Sequence, residues 1–253
     1  MTQHVRVTTA DRVTTIRLDR PDKKNAITLE MYAALGDALD GATADPAVRA
    51  VVLAGARDCF TAGNDLGDFV RAAQGGDTAS GARFLRTLAG FDKPLIGAVA
   101  GVAIGIGTTM LLHCDLIYAA PSARFRTPFV DLALVPEAGS SILLPALVGA
   151  RRAAQLLLLG EQLDAQTALA WGLINAVVDD PDAAAAAAAT KLAGLPPGAL
   201  RATKALTRRA SRAAVGEAMQ AEGEAFVERL RSPEAMEAFQ AFLARRPPDF
   251  SRF

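Results

Sequence analysis

The sequence is poor in residues that bind metals or form disulfides. Its 253 residues include two cysteines, Cys59 and Cys114, and two histidines, His4 and His113. The cysteines are far apart and form no Cys-x-x-Cys pair, and the histidines lack metal-ligand spacing. We therefore predict reduced, structural thiols and no metal site. The opening MTQHVRVTT has no basic region followed by an apolar one, so we expect a cytoplasmic protein without a secretory signal.

An excess of either charge is also absent. The 27 Lys and Arg residues balance 27 Asp and Glu residues, which gives a formal net charge of zero. Nucleic-acid-binding proteins normally carry a basic excess or a basic stripe, so we expect no nucleic-acid partner. Hydrophobic residues make up 51% of the chain and charged residues 21%, which is typical of a folded globular protein with a large core.

One segment without charge is long enough to span a membrane. Residues 94–114 contain no Asp, Glu, Lys or Arg. The segment is interrupted by Gly97, Gly101, Gly105 and Gly107. Glycines at this density favour a strand, a sharp turn and a helix start, so we predict the buried centre of a domain and no membrane partner.

Hydrophobic patterning predicts an α/β fold, because short apolar strands alternate with amphipathic helices up to about residue 138. Thr28 is a predicted helix N-cap. Residues 74–80, QGGDTAS, are predicted to be a flexible loop, and the chain beyond residue 138 is predicted to be almost entirely helical. The predicted strands are residues 5–7, 13–18, 48–53, 95–99 and 116–119. Residues 9–12 are predicted to form the first hairpin loop, and a helix is predicted to end at His113. A short apolar run at residues 174–178 interrupts the helical pattern of the C-terminal part.

Several common catalytic motifs are missing: Gly-x-Ser-x-Gly, the P-loop and His-Glu-x-x-His. Two glycine-bearing turns remain, at residues 60–65 and 103–107, each after a buried strand and each opening a helix. Amides at a helix start have no internal acceptor, so two of them converging on one oxygen would form an oxyanion hole. The glycines could equally serve only tight turns and close packing, and spacing alone does not separate these alternatives.

Five stretches together resemble the crotonase superfamily, the enoyl-CoA hydratase/isomerase family, from about residue 5 to 245. They are LDRPDKKNA at residues 18–26, CFTAGND at 59–65, KPLIGAVAGVAIGIG at 93–107, HCDLIYA at 113–119 and residues 168–178. The resemblance implies a spiral of ββα units over residues 1–195, followed by a C-terminal helical oligomerisation region over residues 196–253. It also implies an acyl-CoA thioester substrate, a homotrimer or dimer of trimers, and no cofactor apart from the coenzyme A of the substrate.

The resemblance assigns the two oxyanion-hole amides to Asn64 and Ile106. Hydratases of the family use two glutamates, and the corresponding positions here are Thr109 and Phe129. Because neither residue is a carboxylate, simple hydratase activity is not expected from these positions. The remaining candidate is Glu137, in LVPEAGSS, which resembles the turn of the Δ3,Δ2-enoyl-CoA isomerase branch, where one glutamate acts as the base.

One carboxylate is enough to shuttle one proton between two carbons. By residue chemistry alone, Glu137 could instead complement a helix dipole. Asp131 is the nearest rival, and Asp65, a predicted helix cap, and Asp115 are expected to be structural. Acyl-chain contacts are expected from Phe60, Leu66, Phe69 and Phe129, and the remaining substrate contacts implied by the resemblance are Lys23, Lys24, Ala26, Ala62, Gly63, Asp65, Gly105 and Thr109.

Three functions follow as hypotheses. The first is isomerisation of a 3-enoyl-CoA to a 2-enoyl-CoA, with Glu137 as the shuttle base. The second is hydration of a 2-enoyl-CoA or another crotonase-type reaction such as thioester hydrolysis, with Glu137 or Asp131 acting on water. The third, from a different class, is a non-catalytic oligomer that binds acyl-CoA.

Overall fold

The computed structural model describes residues 2–56, 58–73, 75–76 and 79–253. Nine strands and eleven α-helices alternate within these residues. The strands are β1 Val5–Ala10, β2 Val13–Leu18, β3 Ala50–Gly55, β4 Leu95–Val99, β5 Val102–Ile104, β6 Leu116–Ala119, β7 Arg124–Arg126, β8 Leu163–Asp164 and β9 Ala176–Val177. The helices are α1 Leu29–Ala44, α2 Leu66–Ala73, α3 Ala79–Gly90, α4 Ile106–Thr109, α5 Ser140–Val148, α6 Ala150–Leu157, α7 Ala165–Ala170, α8 Pro181–Ala193, α9 Pro197–Arg208, α10 Arg212–Leu230 and α11 Pro233–Leu243.

The strands of the described residues form two sheets. The larger has the order β1-β2-β3-β4-β6-β9, and the smaller has the order β5-β7-β8. The β1–β2 pair is antiparallel, and the remaining pairs of the larger sheet are parallel. Parallel neighbours need crossover connections, which the intervening helices supply. The α/β fold predicted from hydrophobic patterning is therefore confirmed.

Buried, continuous apolar strands were the clearest features of the sequence. β4 and β6 have the predicted bounds, and every residue of β4 is buried. In the register of the sheet, Gly97 of β4 lies between Leu53 of β3 and Ile117 of β6. A continuous run of apolar residues is typical of parallel strands that are covered on both faces of the sheet. The predicted N-cap is also confirmed, because the Thr28 side chain accepts a hydrogen bond from the Met31 amide at 3.2 Å.

Some predicted boundaries were wrong. The first hairpin turns at Asp11 and Arg12 alone, both with positive φ, because Thr9 and Ala10 still pair with β2. The short apolar run at residues 174–178 contains the two-residue strand β9. The helix after the second glycine turn changes to a tighter 3₁₀ turn at Met110–His113. In the predicted loop at residues 74–80, positions 74, 77 and 78 lie outside the described residues.

The uncharged segment at residues 94–114 forms β4, β5, α4 and the 3₁₀ turn that follows. Its large apolar side chains belong to the core, including Leu95, Val99, Ile106 and Met110. Among the described helices, none has the length and apolarity needed to cross a membrane.

The C-terminal helices are joined to the core by packing and by charge. Leu230, Ala235 and Phe239 of α10 and α11 belong to the same hydrophobic core as the sheet. In α9, the buried Lys204 donates to the Lys93 carbonyl at 2.6 Å and to Asp115 at 2.7 Å. Residue 196 immediately precedes α9, and the division into two regions there stays a prediction.

Candidate active site

The two glycine turns pack directly against each other. The Thr61 amide donates to the Val102 carbonyl at 2.9 Å, and the Ile104 amide donates back to Thr61 at 3.0 Å. A Cβ atom on Gly63 would lie 2.8 Å from the Ile104 carbonyl oxygen, and one on Gly107 would lie 2.5 Å from Cγ2 of Thr61. Gly63 also has a φ of +94°, which other residues rarely adopt. The turns need glycine because their backbones approach so closely.

The same packing leaves one amide free on each turn. The Ile27 amide donates to the Gly63 carbonyl at 2.8 Å and the Asp65 amide donates to Ile27 at 2.9 Å, so the intervening Asn64 amide takes no part in this ladder. Ile106 is the first residue of α4, where an N–H has no intrahelical acceptor. Within the described part of the chain, neither amide has a hydrogen-bond acceptor. Amides without an acceptor are what an oxyanion hole requires, and the assignment of Asn64 and Ile106 to one stays a prediction.

Glu137 lies one helical turn from this hole. The hydroxyl of Thr109, three residues after Ile106 on α4, donates a hydrogen bond to the Glu137 carboxylate. Glu137 is only 8% exposed. Burial raises the pKa of Glu137 to about 8, against a lowering effect of the Thr109 hydrogen bond and with a further raising effect of Glu222. A carboxylate with a raised pKa is a stronger base, as general base catalysis near neutral pH requires.

The backbone that carries Glu137 has an unusual conformation. Ala138 has a φ of +60° and Gly139 a φ of +72°, so two consecutive residues are left-handed. The Ala138 carbonyl accepts a hydrogen bond from Nε2 of His113 at 2.8 Å. Burial lowers the pKa of His113 to about 4, so its ring is neutral and carries its proton on Nε2. His113 therefore holds the Glu137 turn as an uncharged donor.

The other candidate carboxylates are committed elsewhere. Asp131 is exposed and pairs with Arg126 at 2.6 Å. Asp65 pairs with Arg20 at 2.7 Å and accepts the Gly67 amide at 2.9 Å, so it acts as the predicted cap of α2. Asp115 pairs with Lys204 and with Arg208. Among the four carboxylates named from the sequence, Glu137 is thus the one that lines the cavity and pairs with no cation within the described residues.

A cavity of about 780 Å³ opens beside Glu137 and Asn64. Its lining is mostly apolar and comes from α1, α2, α3, α9 and α10. A volume of this size accommodates a small-molecule acyl group. The apolar lining residues include Ile27, Leu29, Phe69, Ala72, Leu85, Leu112, Leu143, Val215, Met219, Phe226 and Leu230.

The residues predicted to contact substrate fall into two groups. Phe69 and Asn64 line the cavity, as does Glu137. Thr109, Gly63 and Gly105 border the glycine turns, and Gly105 donates its amide to the Arg126 carbonyl at 2.8 Å. The following predicted site residues lie outside the described lining of the cavity: Lys23, Lys24, Ala26, Phe60, Ala62, Gly63, Asp65, Leu66, Gly105, Ile106, Thr109 and Phe129.

Phe60 and Phe129 are buried core residues, 1% and 6% exposed, so their side chains are already covered by protein. Lys23 and Lys24 are exposed at a 3₁₀ turn. The Ala62 amide donates to the Lys24 carbonyl at 2.9 Å, which brings the lysine turn beside the first glycine turn. The roles of these lysines stay predictions.

Three residues of the site were not predicted from the sequence: Tyr32, His113 and Glu222. Tyr32 on α1 lines the cavity and donates its hydroxyl to Oδ1 of Asn64 at 2.5 Å. Burial and the nearby Glu137 raise the pKa of Tyr32 well above its usual value, so the phenol stays protonated. A single tyrosine in an amphipathic helix gives no sequence signal of this contact, because it joins residues 32 positions apart.

Replacing Tyr32 with Phe tests whether this hydrogen bond holds the Asn64 turn. We expect kcat/KM to fall about two- to tenfold, because one hydrogen bond is removed while the ring packing against Phe84 stays. Steady-state kinetics measure the change. Tyr118→Phe removes the other tyrosine hydroxyl, outside the described cavity lining, and should leave kcat/KM unchanged. Equal effects of the two substitutions would contradict the assignment.

In the part of the chain that the structure describes, no group of three His, Cys, Asp or Glu side chains is placed to hold a metal ion. The site is instead built from two backbone amides, one buried carboxylate and an apolar cavity. This combination suits the stabilisation of a carbonyl oxygen that becomes negatively charged while a neighbouring carbon loses a proton.

Comparison with known proteins identifies relatives of the chain. The chain is 36% identical to enoyl-CoA delta isomerase 2 of Rattus norvegicus over 249 residues, which cover 95% of this chain and 63% of that protein. It is 38% identical to 1,2-epoxyphenylacetyl-CoA isomerase of Escherichia coli (strain K12), over 94% of this chain and 95% of that protein. It is 33% identical to 2,3-dehydroadipyl-CoA hydratase of the same organism, over 96% and 97% of the two chains. The chain thus spans less than two thirds of the rat relative's length.

The fold is shared with solved structures. The crystal structure of an enoyl-CoA hydratase/isomerase from Pseudoalteromonas atlantica T6c superimposes with a TM-score of 0.93 at 43% identity, and the match covers 98% of this chain and all of that chain. The predicted crotonase-like fold is therefore confirmed. The family model for enoyl-CoA hydratase/isomerase matches residues 8–252. The chain belongs to the enoyl-CoA hydratase/isomerase family.

Proposed function

We propose that the protein is an isomerase that moves the double bond of a 3-enoyl-CoA to the 2 position, with Glu137 as its single shuttle base. The proposal is carried by one observation: among the carboxylates considered as the base, Glu137 alone pairs with no cation in the described chain, lines the cavity together with Asn64 and is held by Thr109 on the helix that Ile106 begins. Relatives named as isomerases at 36% and 38% identity support it.

In the proposed reaction, the thioester oxygen accepts hydrogen bonds from the Asn64 and Ile106 amides. The ionised Glu137 removes a proton from Cα, and the electron pair of that C–H bond moves into a dienolate whose negative charge rests on the thioester oxygen. The protonated Glu137 then returns the proton to Cγ, and the electrons form the double bond between C2 and C3. The base is restored and no other reactant is consumed.

The geometry of Thr109 supports a proton shuttle. Its hydroxyl holds one carboxylate oxygen of Glu137 and leaves the other oxygen for the substrate. One fixed and one free oxygen allow the carboxylate to reach two carbons that lie two bonds apart. Because the reaction as written needs no electron acceptor or metal, we also propose that coenzyme A enters only as part of the substrate.

The pH dependence of kcat/KM should reflect the base. Glu137 acts when ionised, and its pKa is raised to about 8. We therefore expect kcat/KM to rise with pH and to reach half its maximum near pH 8. Initial rates across buffers of constant ionic strength measure the profile. A plateau already reached at pH 5 to 6, near an ordinary carboxyl pKa, would contradict the assignment of Glu137 as the base.

The deciding assay uses purified protein with 3-enoyl-CoA and, separately, 2-enoyl-CoA. Isomerisation gives 2-enoyl-CoA from the first substrate and no net addition of water to the second. Formation of a 3-hydroxyacyl-CoA would instead support the second candidate, hydration, which the relative named as a 2,3-dehydroadipyl-CoA hydratase favours. Tight binding of both esters without turnover would support the third candidate, a non-catalytic acyl-CoA-binding oligomer.

We further propose that the protein forms a homotrimer or a dimer of trimers. Large apolar side chains are exposed on the C-terminal helices, with Leu206 at 68%, Phe242 at 60% and Leu243 at 65%. Exposed apolar side chains of this size are typical of surfaces that pack against another protein. Light scattering after size exclusion measures the mass, and a monomer at all concentrations would contradict the proposal.

A further inference from the structure

Glu222 is a buried carboxylate whose position has no part in the mechanism so far. It lies on α10, is 7% exposed, and pairs with no Lys or Arg side chain in the described chain. Its two oxygens accept hydrogen bonds from the amides of Gly139, at 2.6 Å, and Ser141, at 2.8 Å. These amides belong to the start of α5, immediately after the turn that carries Glu137.

The contact is specific in its geometry. One carboxylate oxygen meets each amide, so both hydrogen bonds form only when the turn at Ala138 and Gly139 has its left-handed conformation. α10 also packs closely on this turn, because a Cβ atom on Gly139 would lie 3.1 Å from Cγ1 of Val215. A left-handed alanine is unfavourable in isolation, and it persists when surrounding contacts determine it. Those contacts come from His113, which precedes the turn in the sequence, and from Glu222, which follows it.

We propose that Glu222 is the positioning residue for Glu137, fixing the turn that aims the base at the oxyanion hole. The inference rests on Glu137 being the base of the proposed reaction. It deepens that proposal, because it assigns to the C-terminal helix a direct effect on the reacting carboxylate. Glu222 acts through the turn, because its hydrogen bonds in the described chain go to the Gly139 and Ser141 amides and not to Glu137.

The electrostatic part follows from the groups that face Glu137. The negative charge of Glu222 on α10 raises the pKa of Glu137 in addition to burial. Tyr32 on α1 stays uncharged near neutral pH because its pKa is raised well above the usual value. His113 on the 3₁₀ turn after α4 also stays uncharged, because its pKa is lowered to about 4. Asp68 on α2 also lines the cavity and is engaged by Arg71 and by the Leu29 amide.

The experiment measures pH profiles of kcat and KM for a set of variants. Glu222→Gln removes the charge and one of the two hydrogen bonds, because its amide nitrogen cannot accept from Ser141. We expect kcat to fall about ten- to 100-fold with little change in KM, since the base is misaimed while the cavity stays intact. We also expect the rising limb of the profile to move to lower pH, because the like charge next to Glu137 is gone.

Two further variants separate charge from position. Glu222→Asp keeps the charge but shortens the side chain, so kcat should fall while the limb stays near its original pH. Thr109→Val removes a hydrogen bond that lowers the pKa of Glu137, so the limb should move to higher pH, opposite to Glu222→Gln. The control is Glu224→Gln on the exposed side of α10, which removes the same charge away from the turn and should change neither kcat nor the profile.

The outcomes are distinguishable. If Glu137→Gln is inactive but Glu222→Gln keeps the original kcat and profile, the positioning role is wrong and the proposed base stands. If Glu137→Gln keeps full activity, the proposed function itself fails. If Glu222→Gln does not fold, the Glu222→Asp and Thr109→Val profiles decide, and an unshifted limb in Thr109→Val together with unchanged kcat in Glu222→Asp overturns the inference.

Discussion

Glu137→Gln should reduce kcat for isomerisation of 3-enoyl-CoA by about 10²–10⁴-fold, the range that a positioned general base contributes. Glutamine keeps the shape and can still accept from Thr109, but it cannot take up a proton from Cα. Substrate binding should persist because the cavity and the two amides are unchanged. Single-turnover kinetics and a separate measurement of acyl-CoA affinity test the two parts of this prediction.

The control is Asp131→Asn, which removes the rival carboxylate at the surface and should leave kcat unchanged. A fall of kcat in Asp131→Asn with retained activity in Glu137→Gln would reverse the assignment. Loss of activity together with loss of acyl-CoA binding in Glu137→Gln would point to a structural role instead.

The same substitution should stabilise the protein at higher pH. In the unfolded chain Glu137 ionises near 4.5, whereas in the folded protein it keeps its proton up to about 8. A raised pKa contributes stability that is present below 4.5 and is lost as the pH rises to about 8. Glutamine does not titrate, so the Tm difference between Glu137→Gln and the unmodified protein should grow with pH over this range. Thermal unfolding at several pH values measures this Tm difference. A Tm difference that stays constant with pH would contradict a buried Glu137 carboxyl with a raised pKa.

Gly63→Ala should lower kcat by about 10²–10³-fold, as expected when one donor of an oxyanion hole is displaced. The added Cβ would lie 2.8 Å from the Ile104 carbonyl oxygen, which is backbone and cannot rotate away. The two turns must therefore separate, and the distance between the Asn64 and Ile106 amides changes. The φ of +94° adds strain to the same turn.

Gly41→Ala is the matched control, because a Cβ at this helical position would have no atom within 4 Å. It should keep kcat and raise Tm slightly, since alanine is favoured over glycine in a helix. Circular dichroism establishes that Gly63→Ala is folded before its kinetics are compared. A folded Gly63→Ala protein with unchanged kcat would show that the spacing of the two turns does not matter for catalysis.

The fold could be predicted where the signal is local. β4 and β6 are short apolar runs bounded by glycine, proline or charge, and both were predicted with their observed bounds. The first hairpin was misjudged because two non-glycine residues, Asp11 and Arg12, adopt positive φ, which composition does not reveal. The apolar run at residues 174–178 was not predicted as a strand, and β9 takes up only two of its residues, although the Asn175 and Val178 amides on either side also donate to carbonyls of β6.

The site was predictable only in part for the same reason. Glycine turns and the Pro-Glu-Ala-Gly turn are local patterns, and the family resemblance that they carry named the candidates Asn64, Ile106 and Glu137, which spacing alone did not decide. Tyr32 and Glu222 reach the site from helices whose patterns only indicate burial on one face, and their partners are 32 and 83 positions away. Hydrogen bonds of such separation leave no periodic trace in a single sequence.

This separation bears on how the protein is made. Synthesis proceeds from the N-terminus, so the glycine turns, Thr109 and Glu137 all emerge before α10 exists. Until Glu222 has been synthesised and α10 has packed on the turn, the amides of Gly139 and Ser141 lack their carboxylate acceptor. The left-handed turn then lacks one of its two supports. Contacts of long sequence separation form late in folding, because the intervening loop must close first. The nascent chain thus carries all the reacting groups while being unable to aim them, and activity should appear only once the C-terminal helices have docked.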